Sequence, residues 1–185
     1  AFPALPLMDA DGIYTNAIYG FLNMLLKVIK EEDVRYIAVC FDEHGPTFRH
    51  LQYDGYKATR KPMPEELRPQ IPLLKEVLSV MGIKCFDLAG SEADDIIGTM
   101  AKRFSMETVI FTGDKDSFQL VDDTTSVHFT KRGISDIEEY SAQNFVDKMG
   151  ITPLQVIDMK ALMGDKSDNI IGIPGIGEKT AHDLI

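Results

Sequence analysis

Eight carboxylates carry the chemical signal of this chain. Two of them, Asp42 and Asp114, terminate short apolar runs over 34–41 and 108–112 that read as buried strands. In open parallel sheets ligands bind beyond the carboxyl ends of strands, so these two side chains are expected to converge. Asp116 follows in Gly113-Asp114-Lys115-Asp116, Glu92, Asp94 and Asp95 crowd the first turn of an expected helix, and Asp165 and Asp168 bracket a tight loop. So many acids along one sheet edge repel unless they are neutralised. With neither histidine nor cysteine among them, the donors suit Mg²⁺ or Mn²⁺ rather than Zn²⁺. Two such ions about 4 Å apart are the usual apparatus for in-line phosphodiester hydrolysis. Taken singly, Glu92 and Asp94 could serve a helix dipole, and Asp165 and Asp168 a turn. The strand-terminal pair and the Asp-x-Asp that follows favour the metal.

Two further segments suit phosphate. Between Phe48 and Pro62 the cations Arg49, Lys57, Arg60 and Lys61 outnumber Asp54 and are interleaved with Phe48, Tyr53 and Tyr56. Cations meet phosphates and aromatic faces stack unpaired bases, a mixture suited to single-stranded DNA near a junction. Lys57 and Arg60 would share a face if this segment became helical. The run Gly172-Ile-Pro-Gly175-Ile-Gly177-Glu-Lys179 is not a P-loop, because Glu178 separates Gly177 from Lys179 and a helix precedes it. It reads as a glycine-rich turn into a helix N-terminus, where amides and Lys179 can hold a backbone phosphate without reading sequence.

The elements that must position these groups follow from periodicity. Helices are expected from Thr15 to Lys30, from Pro64 to Met81, from a Ser91 cap with Asp94 completing a capping box, from Thr152 to Gly164, and from Glu178 onward. Strands are expected over 34–41, 83–88, 108–112 and 126–130, and strand signals stop after about residue 140. Alternation of this kind predicts an α/β fold with a parallel sheet and helices on both faces. The expected division is a core over 1–140, with a basic arch at about 43–63, and a helical subdomain over 141–185.

Composition bounds the rest. The chain has 185 residues, 44 % of them apolar, which is enough for a real core. Its net charge of −10 argues against nucleic acid only if the acids hold no cations. Cys40 and Cys85 sit in apolar runs and read as buried free thiols of a reducing compartment. No apolar stretch reaches the roughly 20 residues of a membrane span, and the opening residues have no positively charged flank, so they do not read as a signal peptide.

The motifs Phe41-Asp42, Gly45-Pro-Thr-Phe-Arg49, Tyr56-Lys57, Glu92-Ala-Asp94-Asp95, Thr112-Gly-Asp114-Lys-Asp116, Gly164-Asp165-Lys-Ser167-Asp168-Asn169 and Gly175-Ile-Gly-Glu-Lys-Thr-Ala181 occur in this order. Together they closely resemble the 5′-nuclease domain of bacterial DNA polymerase I, in the flap-endonuclease superfamily, over essentially the whole chain. The resemblance implies a PIN-like α/β fold with a C-terminal helix–three-turn–helix element. It implies two metal positions served by Asp42, Glu92, Asp94, Asp95, Asp114, Asp116, Asp165 and Asp168. It assigns Tyr56, Lys57 and Arg60 to an arch over the active site. Ser167 and the hairpin of Gly172, Gly175 and Gly177 fall to a duplex-binding element that often holds K⁺. The family's first strand, with a further aspartate in a Val-Asp-Gly context, precedes Ala1, so the chain reads as a fragment. Ile171 stands where the family has proline, and the connection from Phe104 to Thr108 is shorter than usual.

The reading is hydrolysis of DNA at 5′ ends, flaps or nicks, by a monomer in the bacterial cytoplasm at the nucleoid, with a polymerase domain as a candidate neighbour in the parent chain. Metal at Asp114 and Asp116 with Asp165 and Asp168 would activate water and stabilise the leaving oxygen. Lys57 and Arg60 would hold the scissile phosphate, and Tyr56 would stack on the frayed base. The rivals are a non-catalytic, structure-specific DNA-binding module and a PIN-type ribonuclease.

Overall fold

The structure, a computed structural model, describes residues 7–132 and 136–185. The opening residues 1–6, weighed above as a signal peptide, lie outside that range. Helix α1 (Asn16–Glu31) turns Ile18 and Leu25 inward, with Phe21 and Leu22 packed beside them. Its first amides are satisfied from far away in sequence. The Gln70 side chain, 1 % exposed, accepts from Ala17 N at 2.8 Å and donates to Glu66 O at 2.8 Å. Gln70 opens α3 (Gln70–Val80), which therefore begins later than the expected Pro64 start; turns occupy the residues between.

Strand β1 is Ala38–Cys40, shorter than the expected 34–41 run, and pairs in parallel with β2 (Lys84–Phe86), Val39 opposite Cys85. Between β1 and α3 the basic segment contains α2 (Phe48–Gln52), closed by a capping box of Thr47 and His50. Five residues are too few for periodicity to reveal. Helix α4 (Ala93–Arg103) is capped by Glu92 rather than Ser91, and Asp95 rather than Asp94 completes the box by accepting from Glu92 N at 2.9 Å. That one-residue shift turns Asp94 outward from the cap.

Strand β3 (Thr108–Thr112) leads through a 3₁₀ turn (Lys115–Leu120) to β4 (Thr125–Arg132), its parallel partner, and β5 (Asp136–Tyr140) adds an antiparallel edge. The α/β class holds, but the pairing comes in pieces: β1–β2, β3–β4–β5, and a two-residue ladder of β6 (Gly164–Asp165) with β7 (Ile170–Ile171). Helices α5 (Phe145–Met149), α6 (Gln155–Met163) and α7 (Glu178–Leu184) complete the described chain. Strand β5 escaped detection because Asp-Ile-Glu-Glu-Tyr has too little apolar alternation. Two cores result. One joins Ile18, Leu25, Leu74 and Leu78; the other joins Ile110, Phe118, Val127, Tyr140, Phe145 and Val156. Cys40 and Cys85 are free and only partly buried, on opposite faces of their strands as the register requires. No described helix is long and apolar enough to cross a membrane.

Away from the carboxylate edge, Asp122 ties α4 to the start of β4. Lys102 hydrogen-bonds it, and its Oδ1 accepts from Thr124 N at 2.9 Å and Thr125 N at 2.8 Å. The Lys102 bond, opposed by slight burial and helped by Thr124, holds the carboxyl well below the usual carboxylate range. A depressed carboxylate stabilises the fold above its unfolded value of about 3.9, and that contribution is lost as pH falls through the lower folded value. Asn at 122 keeps the turn-capping oxygen and removes the charge. Asp122→Asn is therefore expected to lower the urea midpoint at about pH 6, and by progressively less as pH falls from about 4 to about 3. A deficit of equal size across that range would show that packing, not ionisation, had been lost.

Candidate active site

Three elements deliver acids to one place. Asp42, just past β1, accepts from Ala93 N at 2.8 Å and so is tied to the start of α4. Asp114, just past β3, caps the 3₁₀ turn by accepting from Asp116 N at 2.9 Å. Asp94, on the first turn of α4, lies between them. Although the residue keeps solvent-facing surface, its carboxyl is pushed above the usual range, first by desolvation and then by the charges of Asp114, Asp42 and Glu92, with Lys57 opposing. Asp94 therefore feels the charges of both strand-terminal aspartates.

The remaining acids are held by bases. Arg49 of α2 grips Asp95 with both terminal guanidinium nitrogens, at 2.8 and 2.7 Å, and lies 3.9 Å from Glu92. That fork holds the Asp95 carboxyl below its ordinary range and the guanidinium above its own. Glu92 is 8 % exposed and accepts from Lys57 Nζ at 2.7 Å and Tyr56 Oη at 3.0 Å. Asp168 accepts from the same Tyr56 hydroxyl at 3.0 Å and pairs with Arg60. Lys160, from α6, bridges Asp116 and Asp165, the latter at 2.8 Å. Burial raises the Asp165 carboxyl, but Lys160 and Ser167 outweigh it and hold it well below the ordinary range.

The structure places the other expected residues unequally. Tyr56, expected to stack on a base, is 5 % exposed with its ring covered; burial first, and then Glu92 and Asp168, push its phenol up. Lys57 and Arg60 face neighbouring acids, Glu92 and Asp168 respectively, through a turn with Lys57 at φ 55° rather than through a helix. Tyr53 reaches Asn169 O at 3.3 Å, the Ser167 hydroxyl donates to Asp165 at 2.6 Å, and Lys61 and Lys179 are exposed. Gly172 has a packing duty: a Cβ there would lie 2.2 Å from the Met163 carbonyl carbon, so the α6–β7 approach needs glycine. Gly175 at φ 84° turns the chain in open space, and Gly177 caps α7. Periodicity could not single out Lys160 or Asn169; the one available hint was a lysine five residues before Asp165.

The donors fit a hard divalent cation in kind, being carboxylate oxygens crowded enough to raise Asp94. Among the described residues, however, no three acids converge tightly enough to hold an ion as they stand. Basic side chains occupy the spaces between them.

Solved structures identify the fold. T5 5′-exonuclease with divalent metal ions (zinc) bound superposes with a TM-score of 0.71 at 24 % identity, over 90 % of this chain and 65 % of that one. A bacteriophage T5 flap endonuclease, in a pseudo-enzyme–product complex with DNA and metal ions, does so at 0.68 and 23 %, over 90 % and 65 %. At these identities the likeness is one of fold, and the fold is that of the flap nucleases. The model of the 5′-3′ exonuclease N-terminal, resolvase-like domain matches residues 1–150, and that of the 5′-3′ exonuclease C-terminal SAM fold matches 151–185. The chain belongs to the 5′-3′ exonuclease family. DNA polymerase I of Bacillus subtilis (strain 168) is 47 % identical over 189 residues, covering 100 % of this chain and 22 % of that protein. The chain thus spans about a fifth of the length of that relative.

Proposed function

We propose that this chain is a metal-dependent 5′-3′ exonuclease and structure-specific 5′-flap endonuclease acting on DNA in replication and repair. One observation carries the reading: the acids Asp42, Glu92 and Asp114 act on the carboxyl of Asp94, while Lys57 pairs with Glu92 and Arg60 with Asp168 on the same acidic edge. Mg²⁺ or Mn²⁺ held by Asp42, Glu92, Asp94, Asp95, Asp114, Asp116, Asp165 and Asp168 would supply a nucleophile at neutral pH and charge for the leaving oxygen. Lys57 and Arg60 hold the scissile phosphate, with Arg49 and Lys61 positioning the strand. The exposed turn around Gly175 and Lys179 contacts duplex backbone, with K⁺ at the helix–three-turn–helix element. The 1–140 core cuts and the 141–185 part holds the duplex. The substrate is DNA with 5′ ends, flaps or nicks, met by a monomer in the bacterial cytoplasm at the nucleoid, with a polymerase in the parent chain.

Mg²⁺-dependent cleavage of a labelled 5′-flap duplex at its junction tests this. Binding of the flap with no cleavage, with or without added Mg²⁺ or Mn²⁺, would favour the DNA-binding module, and preference for RNA the ribonuclease. Lys57→Ala should slow cleavage by roughly tenfold to a hundredfold, more than it weakens binding, because a charge on the reacting phosphate acts in the transition state. The reverse pattern would reduce Lys57 to an affinity residue.

A further inference from the structure

The segment 53–60 and the turn 167–169 are joined by both backbone and side-chain hydrogen bonds. Lys57 N donates to Asp168 O at 2.9 Å, and the Asn169 side-chain amide donates to Gly55 O at 2.7 Å. Tyr53 Oη donates to Asn169 O at 3.3 Å, and Arg60 Nε to Ser167 O at 3.2 Å. The ion pairs Lys57–Glu92 and Arg60–Asp168 and the shared Tyr56 hydroxyl close the contact. The two non-glycine residues with left-handed backbone in the described chain are Lys57, at φ 55°, and Asn169, at φ 59°. They lie on the two sides of this contact. Such backbone persists where surrounding contacts over-determine it.

The charges balance in a telling way. Glu92 and Asp168 carry two negative charges, and Lys57 and Arg60 supply two positive ones. Tyr56 has a single hydroxyl proton to offer both acids, so one carboxylate oxygen is always left short of a donor. One divalent cation could replace both bases without changing the net charge, leaving Lys57 and Arg60 with two unspent charges for a phosphodiester.

We propose that residues 53–60 form a strap whose Lys57 and Arg60 act as internal counter-ions of Glu92 and Asp168, and that divalent-cation uptake by those acids releases it. This rests on the metal-dependent nuclease reading above. The cation and the strap compete for the same oxygens, so each weakens the other's hold by the same factor. Release also uncovers the Tyr56 ring, which is buried here and useless for stacking on a base.

Trypsin reports the strap directly, since it cuts after Lys57 and Arg60. Digestion of the chain in chelator and in saturating Mn²⁺, with Mn²⁺ uptake followed in parallel by electron paramagnetic resonance, is the test. Cutting at these two sites should accelerate several-fold with Mn²⁺ while cutting after Lys102 stays constant. Bound Mn²⁺ with unchanged or slower cutting at 57 and 60 overturns the strap and leaves the nuclease reading standing. Absence of Mn²⁺ uptake overturns both. Tyr56→Phe keeps the buried ring and removes the shared proton; it should raise Mn²⁺ affinity and speed cutting in chelator. A loss of Mn²⁺ affinity in that variant would make Tyr56 part of the ion's own site and overturn the competition.

Discussion

Asp114→Asn is expected to reduce flap cleavage by at least about a hundredfold while flap affinity stays within about threefold of the parent. The substitution is nearly silent for the fold. Asp114 Oδ1 caps the 3₁₀ turn by accepting from Asp116 N, and an amide oxygen can accept the same bond. The backbone there is also fixed from the strand side, where Asp114 N donates to Thr112 Oγ1 at 3.0 Å. What disappears is one negative charge beside Asp94, the strongest of the neighbouring charges that raise that carboxyl. On the proposed reading the site loses attraction for divalent cations, whereas the bases proposed to hold phosphate are untouched. Cleavage rates under single-turnover conditions, paired with flap binding in Ca²⁺, separate the two effects. Turnover equal to the parent's would sink the assignment of Asp114, and equal losses in rate and affinity would make it a DNA contact.

The second large effect concerns the core beneath the same turn. Phe118 is 1 % exposed, and its ring meets Tyr140, Phe129 and Phe145 with centroids 4.3, 5.5 and 5.8 Å away. It belongs to the 3₁₀ turn that carries Asp116 and joins β3 to β4. Truncation to alanine empties the centre of an aromatic cluster fed by three elements, a change that costs about 3–5 kcal/mol. For a chain of this size that corresponds to a fall in Tm of roughly 6–20 °C. Thermal unfolding of Phe118→Ala measures it, and a loss below about 1 kcal/mol would show that the cluster packs loosely enough to collapse around the gap. Phe118→Leu should recover much of the difference, since it restores most of the buried apolar surface.

The readable parts of this molecule were those encoded over short spans. Asp42 and Asp114 stood out because apolar runs stop abruptly at them, and Asp94 followed from its place at a helix start. What stayed hidden depends on partners distant in sequence. Gln70 bonds to Ala17 across 53 positions, and Lys160 reaches Asp116 across 44. No local pattern announces either. The cap of α4 was misplaced by one residue because Ser91 and Glu92 both offer an oxygen, and each finds an acid three positions on. The shared face that a helix would give Lys57 and Arg60 does not form: the segment is a turn with left-handed backbone at Lys57, and the two bases pair with Glu92 and Asp168. Strand β5 was missed because its charges are tolerated at a sheet edge, where only one neighbour constrains them.

The division of the pairing into separate pieces has a consequence for rigidity. Asp42 hangs from β1, whose core is that of Ile18, Leu25, Leu74 and Leu78, while Asp114 hangs from β3, whose core is that of Ile110, Phe118 and Val127. The two clusters share no buried residue, and α4 touches both β1 and the 3₁₀ turn. Native-state hydrogen exchange should therefore resolve two cooperative units rather than one, each with its own opening free energy. The carboxylates draw on both clusters, so their spacing depends on how firmly α4 joins one to the other.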